Sequence, residues 1–360
     1  MITDGKTTVV VIGKDELAAQ PFTFIDLFAG IGGFHQGLRA NGGECVFASE
    51  WDPYAQETYR MNYPNTPLHG DITLKKTKDA IPENFDVLCG GFPCQAFSNA
   101  GLKKGFSDTR GTLFNEIAQI LKARKPKVAF LENVRGLISH DKGKSITVIL
   151  HTITHMGYRC NIHQGVIDAA YQDVVNKKDR GFVKIIQEEA SKMILKSRDF
   201  GVPQNRQRIY IVLWREDLNV DYFHYPKPTF EPTRVGDILD PHPDPKYTIT
   251  DRMWIGHQNR KARNRANGKG FGYSLFTPDS PYASTISARY WKDGSEILIA
   301  QPRRNPRVLT PREATRLQGY PDDFQLNPSE KQAYKQAGNS VSVPVIKAIA
   351  RAIREQLLQR

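Results

Sequence analysis

A lone thiol stands in Gly90-Gly91-Phe92-Pro93-Cys94-Gln95-Ala96-Phe97-Ser98, between a proline and a glutamine, after the apolar run Phe85-Asp86-Val87-Leu88-Cys89. The run reads as a buried strand, and the cysteine segment reads as a polar loop at its carboxyl end. A cysteine that only packs sits within an apolar pattern, as Cys45, Cys89 and Cys160 do. Cys94 sits where a thiolate could form and attack, which makes it the candidate nucleophile. Core packing is still the commoner fate of a single intracellular cysteine, so the choice rests on what else the chain brings to the same edge.

Other chemistry-bearing residues come after other strands. Glu132 comes directly after the strand Lys127-Val128-Ala129-Phe130-Leu131. Burial there would raise its pKa and suit it to share a proton with a substrate nitrogen, although a salt-bridged acid at a strand end is the plainer reading. Gln204-Asn205-Arg206-Gln207-Arg208 leads into a strand at Ile209–Trp214. Near the start, the strand Phe22–Leu27 runs into Phe28-Ala29-Gly30-Ile31-Gly32-Gly33, a nucleotide-binding turn ahead of a helix from Phe34 to Ala40. Its glycines let backbone approach a ligand, and the helix N-terminus favours a carboxylate or phosphate. Glu50 ends the next strand, Glu44–Ser49, at roughly the 20-residue spacing at which an acid reaches ribose hydroxyls. Asp52 is free to cap the next helix, Pro53–Asn62. A short extended piece then ends at Gly70-Asp71-Ile72. Open α/β sheets bind ligands outside the carboxyl ends of their strands, so these residues converge on one site.

The chain's 360 residues can hold a full-sized α/β domain and a smaller second one. Lysine and arginine outnumber acids 50 to 38, a formal charge of +12, which favours a polyanionic partner, nucleic acid before anionic membrane. No apolar run approaches the length of a bilayer span and no signal-peptide pattern is present, so a cytosolic protein is expected. Four cysteines without C-x-x-C pairs argue against a disulfide framework and a zinc site. The strand pattern continues at Tyr158–Ile167, and Val183, Ile186, Ala190, Met193 and Ile194 fall at the spacing of an amphipathic surface helix. Beyond Trp214 the texture becomes proline-rich, as in a linker. From Arg252 to Pro278 there are six basic residues and no acid, interleaved with Asn259, Asn264 and Asn267. Arginine and asparagine can pair with base edges while lysine holds phosphate, and a solvated basic face is an equal reading of this segment alone. The expected division is a catalytic unit, 1–233 closed by 320–360, and a second unit, 234–319.

In this order, along almost the whole chain, the motifs resemble those of the cytosine-C5 DNA methyltransferases of bacterial restriction-modification systems. The resemblance implies an α/β fold, a doubly wound, Rossmann-like S-adenosylmethionine-dependent domain plus a small, irregular, mainly β target-recognition domain. It implies cofactor contacts from Phe28, Ala29, Gly30, Gly32 and Gly33, from Glu50 and Trp51, from Asp71 and Ile72, and from Leu113, Asn339 and Ser340. Pro93-Cys94-Gln95 resembles the catalytic loop, Glu132-Asn133-Val134 the base-holding motif, and Gln204-x-Arg206-x-Arg208 the motif whose last arginine reaches the flipped cytosine. Arg307 through Gly319 resembles the support of the recognition domain, and Gln336-x-Gly338-Asn339-Ser340-Val341 the motif that rejoins the catalytic domain. DNA contacts are expected from Gln95, Ser98, Arg206, Arg260, Lys261, Arg263, Lys269, Thr285 and Arg289.

By the same resemblance S-adenosylmethionine is converted to S-adenosylhomocysteine without a metal, and the partner is duplex DNA. A monomer is expected, in the cytoplasm, bacterial or phage-encoded, with a separately encoded restriction endonuclease. Gly268–Tyr273, Ser284–Tyr290 and Lys292–Gly294 resemble the recognition region for CCWGG or CCNGG sites. Two segments depart from or precede the pattern: 168–197 is longer than in compact bacterial members, and residues 1–20 form an extension of undecided role. Other readings fit less well. An amino-methyltransferase needs Asp/Asn-Pro-Pro-aromatic, and Asp279-Ser280-Pro281-Tyr282 lacks the second proline. A nicotinamide dehydrogenase has no use for Pro-Cys-Gln, and a binding-only relative would have lost Cys94 or Glu132. A transfer-RNA-directed relative would not require the basic segment between Arg215 and Pro306.

Overall fold

The computed structural model describes residues 21–93 and 113–359, so Cys94, Gln95, Ser98 and the N-terminal extension lie outside the described residues. The first part of the chain alternates strand and helix: β1 (Phe22–Leu27), α1 (Gly33–Arg39), β2 (Gly43–Ser49), α2 (Pro53–Asn62), β3 (Leu68–His69), α3 (Lys75–Asp79), β4 (Val87–Gly91), α4 (Leu113–Arg124) and β5 (Val128–Val134). It continues as α5 (Lys144–Thr154), β6 (Tyr158–Arg159), α6 (Gln164–Asn176), α7 (Phe182–Ser191), β7 (Ile194–Lys196) and β8 (Gln207–Arg215). The strands form one sheet in the order β3-β2-β1-β4-β5-β8-β6, with β7 also on β8. β1 to β5 run parallel and β8 antiparallel to β5.

The apolar runs are continuous rather than alternating because both faces of the sheet are covered. Phe22, Phe24, Cys89, Phe130 and Val212 face a core shared with α1 and the C-terminal helix, while Ile25, Leu27, Leu88, Leu131 and Ile211 face one shared with α4 to α7. Doubly wound packing therefore follows from strand periodicity alone. Among the described residues no helix is long and apolar enough to cross a membrane.

The expected strand Tyr158–Ile167 is corrected: it stops at Arg159, and α6 starts at Gln164 with His163 Nδ1 accepting from the Gly165 amide at 3.2 Å. The edge of β8 is shared, with β6 against Trp214–Arg215 and β7 against Gln207–Ile209. The amphipathic helix is present as α7 but ends at Ser191, so Met193 lies beyond it and Ile194 opens β7. Its Ile186 and Ala190 are fully buried in the core that α5 and α6 share, while Lys184, Ile185 and Glu188 are exposed, the pattern expected of an amphipathic surface helix.

Beyond β8 come α8 (Asp251–Ala266), β9 (Leu275–Phe276), β10 (Leu298–Gln301), β11 (Arg304–Arg307), α9 (Pro311–Arg316), α10 (Glu330–Asn339) and α11 (Val343–Ile353). A separate cluster including Val235, Ile286, Tyr290, Ile299 and Leu317 forms the core here, and it also takes Tyr334 and Ala337 from α10. The expectation of a mainly β unit is corrected, because its longest element is the 16-residue α8 and its three strands have two to four residues. Apart from His257, α8 buries no residue, so the first part of the basic run folds as a polar helix, capped by the Thr250 hydroxyl. Arg307 makes a bidentate pair with Glu313 at 2.7 and 2.8 Å, and Glu313 also completes a capping box with Thr310. α11 returns the chain to the first unit, packing on α1.

Asp26 is the odd residue of the core. Its carboxyl is completely buried in β1, with neither oxygen offered a well-aligned donor. Burial, helped by the Glu50 charge, lifts its pKa to about 8, so it is mostly a neutral acid at pH 7. The folded state thus holds this proton more tightly than the unfolded chain, and stability present below about pH 4 is lost as pH rises toward 8. Chemical denaturation across this range should show wild type losing up to about 1.4 kcal/mol per pH unit relative to Asp26→Asn. Parallel pH profiles would mean that Asp26 is ionised in the fold.

Candidate active site

A cavity of about 530 Å³ opens at the carboxyl ends of β1 to β5. The glycine turn after β1 forms one wall, with Phe28, Ala29, Gly30 and Gly33 facing in. Phe28 and Gly30 both take left-handed backbone, φ 56°, and for phenylalanine this is an uncommon conformation that the surrounding fold must enforce. Glu50, at the end of β2, fastens the turn: its Oε2 accepts from the Gly30 amide and its Oε1 from the Asp52 amide, both at 2.8 Å. Burial raises its pKa, with those amides opposing the rise. Trp51 beside it is 74% exposed, a large ring face presented at the cavity rim. Asp71, Ile72, Leu113, Asn339 and Ser340 complete this end.

At the other end stand Glu132 and Arg208. In the antiparallel ladder Glu132 is opposite Tyr210 and Val134 opposite Arg208, so the two side chains share a face on a diagonal. Arg208 Nε lies 3.0 Å from Glu132 Oε1, an ion pair whose angle does not make a hydrogen bond, and Oε1 has no other donor among the described residues. Burial raises the Glu132 pKa, with Arg208 and Arg206 pulling it back. On the opposite side, Gly91 of β4 is in register with Glu132, and a Cβ there would stand 3.1 Å from Glu132 Oε2. The glycine makes room for the carboxyl. Asn133 Nδ2 donates to the Phe92 carbonyl at 2.8 Å, tying β5 to the start of the cysteine loop. Pro93, the residue bonded to Cys94, lines the cavity.

A family model described as C-5 cytosine-specific DNA methylase matches residues 22–355. The chain belongs to this family. It is a DNA (cytosine-5-)-methyltransferase. It is 51% identical over 339 residues to the type II methyltransferase M.NlaX of Neisseria lactamica, covering 93% of this chain and 97% of that one. It is 39% identical over 346 residues to M.HhaI of Haemophilus parahaemolyticus, covering 93% and 94%. The fold matches a crystallised DNMT2 mutant of Spodoptera frugiperda with a TM-score of 0.67 at 20% identity, covering 92% of this chain and 99% of that one.

The structure departs from the expected residue set at Gly32 and Arg206, and gives Arg260 and Thr285 partners within the chain. Gly32 does not line the cavity; it faces the Tyr63 ring, which covers it and donates from its hydroxyl to the Gly32 carbonyl at 3.2 Å. Arg206 is buried, and its guanidinium donates to the carbonyls of Ile286, Gly338 and Ser340, which corrects the expected DNA contact to a brace in the cavity wall. Burial lowers its pKa to about 10, so it remains charged at neutral pH. Arg260 is likewise occupied, by the Gly272 carbonyl, Asp293 and His257. Thr285 donates its hydroxyl to the Asn205 carbonyl at 2.9 Å. Lys261, Arg263, Lys269 and Arg289 are exposed as expected, with no ion-pair partner among the described residues, although the Lys261 ammonium sits 4.2 Å over the Tyr273 ring.

Lys335 is a cavity residue that sequence reasoning missed. It reaches from α10 to Asp52 Oδ2 at 2.6 Å, while Asp52 also caps α2 through the Tyr54 amide. Only the folded return of the chain reveals this pairing. The same helix carries Gly338, where a Cβ would collide with the Ser287 carbonyl and the Ala288 amide. That neighbour is backbone and cannot rotate away. Gly338→Ala should lower stability by about 1–3 kcal/mol and weaken DNA binding, since it pushes away the stretch bearing Thr285 and Arg289. Thermal melting and a DNA-binding titration check both, and an unchanged melting temperature would show that the contact yields freely.

Proposed function

We propose that the cavity takes S-adenosylmethionine at its glycine-turn end and a cytosine flipped from duplex DNA at its Glu132 end, with Cys94 forming a covalent bond to the base. The observation carrying this reading is one cavity that joins the fastened Glu50 carboxylate to the buried Glu132 and its ion-pair partner Arg208, with no hydrogen bond to Glu132 Oε1 among the described residues. The cofactor fits the residues present: Glu50 keeps lone pairs for ribose hydroxyls, and Phe28, Trp51 and Ile72 offer apolar surface to an adenine ring. When bound it supplies an electrophilic methyl group.

Carbon 5 of cytosine is a poor nucleophile until something adds at C6. The Cys94 thiolate forms the S–C6 bond as Glu132, protonated, donates to N3 and neutralises the electron pair displaced onto the ring. Arg208 holds O2 and keeps the base oriented. C5, now part of an enamine, becomes the carbon that accepts the methyl group. Return of the N3 proton to Glu132 and loss of the C5 proton to water then restore the ring, break the S–C6 bond and return the thiolate. A raised Glu132 pKa serves the N3 step, because the carboxyl keeps its proton nearer to neutral pH.

Duplex DNA binds through 234–319, the recognition unit, while 1–233 and 320–360 form the catalytic unit. On α8, Arg252, Asn259 and Arg263 are exposed and spaced to lie along one face, and with Lys261, Lys269 and Arg289 they supply phosphate and base-edge contacts. The similarity to type II methyltransferases supports a protective role beside a separately encoded restriction endonuclease, for a cytoplasmic monomer acting on the host's DNA.

A duplex containing 5-fluorocytosine tests the chemistry, because fluorine cannot leave as a proton does. Wild type with cofactor should give a denaturation-resistant complex and Cys94→Ala none; equal trapping would remove Cys94 from the reaction. Glu132→Gln should slow methyl transfer by about 10²–10⁴-fold with cofactor affinity unchanged, whereas equal losses in both would make it structural. The target is a G·C-rich interrupted palindrome of the CCWGG or CCNGG kind. Bisulfite sequencing of DNA from a methylation-free host expressing the enzyme should show one enriched motif of that form, and scattered methylation would refute it.

A further inference from the structure

The helices α5 and α6 bring together a second group of chemistry-bearing side chains, none of which lines the methyl-transfer cavity. His151 lies in the last turn of α5 and His155, four residues on, caps that helix, while Asp168 reaches them from α6. Their potential ligand atoms lie within 4.8 Å of one another, with His151 Nε2 3.9 Å and His155 Nε2 3.6 Å from Asp168 Oδ1. We propose that His151, His155 and Asp168 bind one divalent transition-metal ion of the zinc class, which clips α6 to α5.

The geometry supports this in three respects. A tetrahedral ion with bonds of about 2.0–2.1 Å needs ligand atoms roughly 3.4 Å apart, so the two histidine–carboxylate spacings close by a few tenths of an ångström, and the two imidazole nitrogens, within 4.8 Å of each other, close by rotation of their side chains. The surroundings orient the donors: His155 Nδ1 donates to the His151 carbonyl at 3.0 Å, which leaves the Nε2 lone pair facing Asp168, and Gln164 Nε2 donates to Asp168 Oδ1 at 2.8 Å. With its proton on Nδ1, His155 turns a lone pair toward a carboxylate oxygen, an arrangement a cation between them relieves. His151 is held flat between the Tyr171 ring, 3.6 Å away and 7° from parallel, and the His155 ring at 3.9 Å. Three protein ligands leave a fourth position for water, and the chemistry here is fastening rather than catalysis. What it fastens is the start of the segment that is longer than in compact relatives.

Untagged, full-length protein stripped with a chelator and titrated calorimetrically with Zn²⁺ tests the site. Wild type should take up one equivalent and gain thermal stability, while His155→Ala should bind at least about tenfold more weakly. Asp168→Asn, nearly isosteric, gives a second reading should His155→Ala fold poorly. Co²⁺ in place of Zn²⁺ should give visible absorption that both variants diminish. Absence of binding by wild type, or affinity unchanged in both variants, overturns the proposal; the latter places the ion on other groups.

Discussion

The guanidinium of Arg206 joins three parts of the chain that would otherwise share only edges. It leaves the segment entering β8, is buried, and donates to carbonyls of Ile286, Gly338 and Ser340. A buried cation is costly unless each of its bonds is well met, and removing it would strand those carbonyls. The brace therefore fixes where α10 ends, where the 284–289 stretch runs, and so where Asn339, Ser340 and Thr285 stand relative to the sheet. Two residues along the same strand, Arg208 faces the cavity. One arginine builds the wall and the next works inside it.

The rest of the site depends on the sheet edge. Five parallel strands end at the same level, so the residues just past each end meet without any need for proximity in sequence. β8 runs the other way and brings its beginning, rather than its end, to that edge. This antiparallel register sets Arg208 diagonally across from Glu132. It also explains why the arginine motif precedes its strand while the acidic motifs come after theirs.

Much of this was legible in the residues. The alternation of apolar runs and helical spacing marked β1 to β5 and α2 with ends displaced by at most about three residues, and the polar residues after the runs marked the cavity. Legibility failed where meaning depended on a distant partner. Tyr158–Ile167 reads as one strand, yet the edge of β8 it would cover is already half taken by β7, so only its first two residues pair and its last four open α6. Composition marked 252–278 as basic, but helix formation and the capture of Arg260 by Asp293 could not be seen without the loop carrying that acid. Lys335 looks like any surface lysine until α10 brings it against Asp52. His151 and His155 have a visible helical spacing, but Asp168, which gives them meaning, belonged to a stretch whose helix was unrecognised.

The glycine-turn end of the cavity is lined by Phe28 and Gly30, near the start of the described chain, and also by Asn339 and Ser340, more than 300 residues later. α11, the next helix, then lies on α1. During synthesis the glycine turn emerges early and waits for a wall that the ribosome makes last. Contacts between such distant parts are slow to form because a long loop must close first. A nascent chain can thus assemble its sheet long before it can bind anything there, so truncated products would be folded in part but silent.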